Sequence, residues 1–86
     1  MKQLVLKELQ IIPGIGKSIA EDLYNIGIHK VADLKNKDPQ KLYDKSNKLV
    51  GRVQDPCLLY TFRCAVYFAS TKNPKLRLLK WWNWKN

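Results

Sequence analysis

Apolar residues recur at helical spacing along this chain, and no stretch alternates for long enough to define a strand. Over residues 2–10, Val5 and Leu9, continued by Ile12, fall three or four positions apart and predict a first helix. Pro13-Gly14-Ile15-Gly16 breaks it, because proline lacks a backbone donor and the glycines allow positive φ. Ile15, Ile19, Leu23 and Ile26 then draw one stripe along a second helix, 17–25, with Ala20 beside it as a small residue that permits close approach. Gly27 stands where that helix should be capped. A connector, 30–35, turns Val31 and Leu34 inward. Asp38-Pro39 pairs an N-cap with a proline in the first helical position and starts a helix to about residue 48. Asp55-Pro56 repeats the signal and opens the most apolar segment, 57–69. Leu58, Leu59, Phe62, Ala65, Val66 and Ala69 cover one side of it, and Cys57, Tyr60, Cys64, Tyr67 and Phe68 most of the other, so other helices must surround it. Asn73-Pro74 ends it. The pattern predicts an all-α fold, a compact bundle of about five helices in one domain, 1–86, with a basic, Trp-rich tail, 71–86, packed on it.

Charge changes this picture more than size does. The formal net charge is +9, which favours a polyanionic partner. Residues 1–55 hold ten basic and seven acidic side chains, whereas residues 56–86 hold Arg63, Lys72, Lys75, Arg77, Lys80 and Lys85 and no acid. The apolar run near the N-terminus is too short for a secretory signal, and no stretch is long enough to span a membrane, so a cytoplasmic location is expected. Cys57 and Cys64, seven apart on a helix, are separated by about 10 Å along its axis, too far for a disulfide, and are expected to be reduced core residues. With His29 as the only histidine and no ligand-like spacing, no metal site and no cofactor are expected.

The chemistry concentrates in the first turn. A glycine-rich turn leading into a helix aims several unpaired amides one way, and the helix dipole adds partial positive charge, so Gly14, Ile15, Gly16, Lys17 and Ser18 are the expected nucleic-acid-binding residues. Lys17 opposes the dipole in the first helical turn, a cost of about 0.3 to 1 kcal/mol that a bound phosphate would remove. The plainer alternative is an ion pair between Lys17 and Glu21, one turn on. Two nucleotide motifs fail here. Gly16-Lys17-Ser18 ends like a P-loop, but Ile11 stands where its first glycine is needed, and Ile19 stands where the dinucleotide fingerprint needs its third. Leu49-Val50-Gly51-Arg52-Val53 is a weaker echo of the first turn, with one glycine, and adds Gly51 and Arg52 as candidates.

The run Leu9-Gln10-Ile11-Ile12-Pro13-Gly14-Ile15-Gly16-Lys17-Ser18-Ile19-Ala20-Glu21-Asp22-Leu23 resembles the helix-hairpin-helix signature almost position for position. That resemblance implies two packed helices joined by a tight hairpin whose amides meet DNA phosphates without sequence preference. The echo at Gly51 implies a second, degenerate copy. Across nearly its whole length the chain is also similar to small bacterial pathogenicity-locus proteins, some labelled as mitomycin resistance proteins. Asp55-Pro56-Cys57, Phe62-Arg63-Cys64-Ala65-Val66-Tyr67 and Lys80-Trp81-Trp82-Asn83-Trp84 carry that similarity, which implies a DNA-linked role in a DNA-damage setting.

No catalytic set is apparent. His29 adjoins no activating carboxylate or nucleophile in sequence, and Tyr24, Tyr43, Tyr60 and Tyr67 are expected to pack with their hydroxyls outward. Helix-hairpin-helix glycosylases carry a catalytic Lys or Asp in a further stretch of chain, and here only the last helix and the tail follow the second hairpin. The three tryptophans are open to core packing first, then to base stacking, then to a membrane or dimer contact. The expected function is a non-enzymatic, sequence-independent DNA-binding module. The alternative is a protein-protein interaction module with a purely structural hairpin and the Trp-rich tail facing a protein partner.

Overall fold

A computed structural model describes residues 2–85, so Met1 and Asn86, the ends of the expected 1–86 span, lie outside the described residues. Its elements are α1 (Lys2–Leu9), α2 (Lys17–Asn25), a 3-10 turn (Val31–Leu34), α3 (Pro39–Val50), α4 (Pro56–Ser70) and two further 3-10 turns (Leu76–Leu79 and Trp81–Trp84). There are no strands among the described residues. Among the described residues the α-helices number four, not the expected five or so. The connector closes only one 3-10 turn, because it is hemmed in by Gly27 and by Asn36, both at positive φ, and four residues are too few to offset the cost of an α-helical nucleus.

Local chemistry accounts for the helix ends. The Asp38 carboxylate accepts the Gln40 amide at 2.9 Å and the Asp55 carboxylate accepts the Cys57 amide at 2.8 Å, each with proline as the first helical residue. At the end of α2 the Gly27 amide donates to the Tyr24 carbonyl and the Ile28 amide to the Leu23 carbonyl, a Schellman closure that buries Ile28 with Leu23.

Helix α4 is the hub. It packs against α3, the 3-10 turn at Val31–Leu34 and both C-terminal turns, while α1 packs on α2. Phe62 and Ala65 are wholly buried on α4 in one cluster with Leu9, Ile12, Leu23 and Leu34, while Cys64, also wholly buried, meets the Leu78 carbonyl of the tail. The α2 stripe buries Ile15, Leu23 and Ile26 and leaves Ile19 half-buried; on α1, Leu6 takes the core position and Val5 stays at its margin.

The tail folds back across α4. The Arg63 guanidinium donates to the Trp84 carbonyl at 2.8 Å, and the Trp84 indole N–H donates to the Leu78 carbonyl at 2.8 Å. The Tyr67 hydroxyl accepts the Lys75 amide at 2.9 Å, and its ring lies 5.4 Å from that of Trp84. On the other side of α4, Gln54 holds Ser46 and Asn47 through its side-chain amide and accepts the Tyr43 hydroxyl at its carbonyl, which fixes the turn from α3 into α4.

Candidate nucleic-acid interface

The first turn is built by its own sequence. The Ile15 amide donates to the Ile12 carbonyl at 3.1 Å, closing a four-residue turn with Pro13 second and Gly14 third, at φ +86. Proline second and a positive φ third are the requirements of a type II turn, which Gly14 meets without strain. Buried Ile15 pins the turn to the core, and Gly16 follows as the N-cap of α2. Gly16 sits at φ −90 and ψ −175, extended backbone open to any residue, and a Cβ there would meet nothing within 4 Å. The expectation that the glycines serve positive φ therefore holds for Gly14 and is corrected for Gly16.

What this turn leaves open distinguishes it. Gly16 offers no side-chain cap, and among the described residues the amides of Gly16, Lys17, Ser18 and Ile19 find no acceptor. These are the four orphan donors of a helix start. Gly16, Lys17 and Ser18 are exposed, and Lys17 has no ion-pair or hydrogen-bond partner among the described residues, so the alternative pairing with Glu21 is not formed. Further along α2, burial and then the charge of Glu21 push the Asp22 carboxyl above its usual range.

The second turn has a different chemistry. Gly51 ends α3 at φ +84, and its amide and that of Arg52 both donate to the Asn47 carbonyl, at 2.9 and 3.1 Å. The start of α4 is occupied by Asp55. The bond from the Cys57 amide, helped by the nearby thiol, holds the Asp55 carboxyl below the usual range; in turn that carboxylate, with burial, pushes the Cys57 thiol up. The structure thus sets Gly51 and Arg52 beside a filled helix start carrying negative charge, and leaves Arg52 only an exposed side chain to offer an anion. Exposed Leu49, Val50 and Val53 surround it.

Sequence reasoning missed where the tail goes. Trp81 lies against the first turn, its Cδ1 3.6 Å from where a Gly14 Cβ would stand. Trp82 meets Trp81 edge-on at 5.8 Å between centroids and keeps 51% of its surface exposed. The ammonium groups of Lys80 and Lys85 stand 5.9 and 5.7 Å from the Trp82 and Trp81 rings. No periodicity signals this approach, since the partners come from opposite ends of the chain.

Among the described residues no cluster of three or more His, Cys, Asp or Glu side chains could hold a metal ion, and both cysteines are free. His29 is exposed, its amide donating to the Asp33 carboxylate and its ring packed on Tyr24. No helix among the described residues is long and apolar enough to cross a membrane.

The mitomycin resistance protein McrB of Streptomyces lavendulae is 34% identical over 77 residues, spanning 90% of this chain and 70% of the relative. No solved structure matches the chain. Residues 2–86 match the family described as pathogenicity locus, Cdd1, and the chain belongs to that family.

Proposed function

We propose that this protein is a non-enzymatic DNA-binding module that takes backbone phosphate, without reading sequence, at a helix-hairpin-helix turn between α1 and α2. The observation that carries this reading is the contrast among helix starts. Asp38 and Asp55 fill those of α3 and α4, while among the described residues the amides from Gly16 to Ile19 at α2 have no acceptor and the adjoining Lys17 has no partner. An oxyanion placed there gains several donors and the dipole at once. Phosphate contacts of this type position a protein on a strand without distinguishing bases. The Streptomyces relative is named for mitomycin resistance, and we take from that name a DNA-damage setting for this chain.

Exposed Leu49, Val50 and Val53 favour a second reading, an interaction module with the first turn as a structural joint. Lys17→Ser separates the two. DNA affinity and its salt dependence both fall if phosphate binds at this turn, and neither changes if the turn is only a joint.

A further inference from the structure

The three tail tryptophans have different surroundings. Trp84 is half-buried, tied by its indole N–H to the Leu78 carbonyl and packed on Tyr67. Trp81 is half-buried between Gly14 and Trp82. Trp82 alone of the three keeps half of its surface in water, and its indole N–H has no partner among the described residues. A ring serving only as cover for the core would not leave so much apolar area exposed.

The backbone beneath Trp82 is held in place. Its 3-10 turn is closed by the Asn83 amide donating to the Lys80 carbonyl at 3.0 Å, and the Asn83 side chain ties it to the Arg77 carbonyl. Arg63 anchors the end of the same turn through Trp84. Residues 56–86 carry six basic side chains and no acid, and two of them, Lys80 and Lys85, stand by the Trp82 and Trp81 rings, a setting that suits a polyanion. An exposed indole among lysines, linked through Trp81 to the turn with open amides, is a combination that suits single strands: a base takes the ring face while cations follow the phosphates.

We propose that Trp82, with Lys80 and Lys85, is a stacking platform for an unpaired base, so that the partner is single-stranded nucleic acid with a phosphate at the Gly16-Lys17 turn. The inference rests on the phosphate reading of that turn and adds the substrate class. Lys80 lies over Trp82 in the free protein, and its flexible head moves to a phosphate when a base takes the ring. A paired base in a duplex offers no free face, so the platform contributes nothing there.

The test uses the full chain with a labelled oligothymidylate and a blunt duplex of equal length at one low salt concentration. Wild-type protein is expected to bind the oligothymidylate at least about fivefold more tightly, with quenching of its tryptophan fluorescence. Trp82→Ala should lose about that factor on the oligothymidylate and none on the duplex, while Trp82→Phe keeps most of the preference. The unfolding midpoint should stay near wild type in Trp82→Phe and fall modestly in Trp82→Ala, since half of the ring is exposed and the rest packs on Trp81. Lys17→Ser should weaken both probes. Loss in Lys17→Ser with none in Trp82→Ala overturns the platform and leaves the phosphate reading standing; the reverse pattern overturns the phosphate reading and keeps the stacking. Equal loss on both probes in Trp82→Ala overturns the choice of single strands. No binding to either probe overturns both readings and points the exposed ring toward a protein.

Discussion

Trp81 rests on Gly14, with an indole carbon 3.6 Å from the place a Cβ would occupy on the glycine. That is an ordinary contact, so a methyl group at Gly14 would not collide with the tail. The cost of Gly14→Ala comes from φ +86, which an L side chain disfavours by about 1 to 2 kcal/mol. Gly16→Ala has neither problem; alanine is only a poorer N-cap than glycine, so this variant should lose about 0.5 to 1 kcal/mol, less than Gly14→Ala. Urea unfolding of the two variants checks the difference. Equal losses at both positions would contradict the assignment of positive φ to Gly14 alone.

Phe62 is the largest of the wholly buried side chains. Its replacement by alanine should cost about 3 to 5 kcal/mol. At roughly 0.05 to 0.15 kcal/mol per residue, a chain of 86 residues has only about 4 to 13 kcal/mol to lose. Phe62→Ala should therefore show a sharply lowered urea midpoint with an unchanged slope. A small shift would mean that α4 is not the hub its packing indicates.

Asp55 and Cys57 couple helix stability to pH and to thiol reactivity. Because the folded Asp55 carboxyl is held below its usual range, its contribution is present above the unfolded value of about 3.9 and is lost as pH falls through the folded value. The raised Cys57 thiol works on the alkaline side: above about pH 8.5 the unfolded chain ionises first, and stability declines as pH rises through the folded value. Asp55→Asn should flatten the acid limb of a melting temperature against pH profile. It should also speed alkylation of Cys57, which loses the carboxylate that disfavours its thiolate. Cys64, buried and with its thiol also pushed up by burial, should stay slow until the protein unfolds. Rapid labelling of Cys64 in the native state would overturn its place in the core.

Features governed by neighbours in sequence were legible from it. Asp38-Pro39, Asp55-Pro56 and Gly27 each act within a few residues, and the helix starts and the α2 closure follow from them. The connector's inward Leu34 and half-buried Val31 suit one 3-10 turn as well as a helix, so the apolar spacing alone does not distinguish them. At the second turn, Asp55 is legible as a cap, and a carboxylate that caps α4 also fills the position a phosphate would need. The commitment of the Gly51 and Arg52 amides to Asn47 depends on a backbone closure that residue types alone do not specify. The approach of Trp81 to Gly14 arises from packing of the tail along α4, and no local pattern encodes so distant a contact.

The α2 start is best tested by removing charge and leaving the backbone alone. Lys17 stands in the first turn of α2, exposed and unpaired, where the dipole disfavours a cation by about 0.3 to 1 kcal/mol. Lys17→Ser should accordingly keep or slightly raise the unfolding midpoint while weakening DNA binding. If the turn and its lysine engage about two phosphates, log affinity should fall with log salt at a slope near −1.8, roughly tenfold between about 50 and 200 mM. Loss of one cation should shallow that slope by about one unit. The weakening should be the same on DNAs of unrelated sequence, because a phosphate contact carries no base information. A normally folded Lys17→Ser protein with wild-type affinity and slope would reduce the turn to a joint between α1 and α2. A loss confined to one sequence would contradict phosphate binding in another way, by showing that base edges are read at this turn.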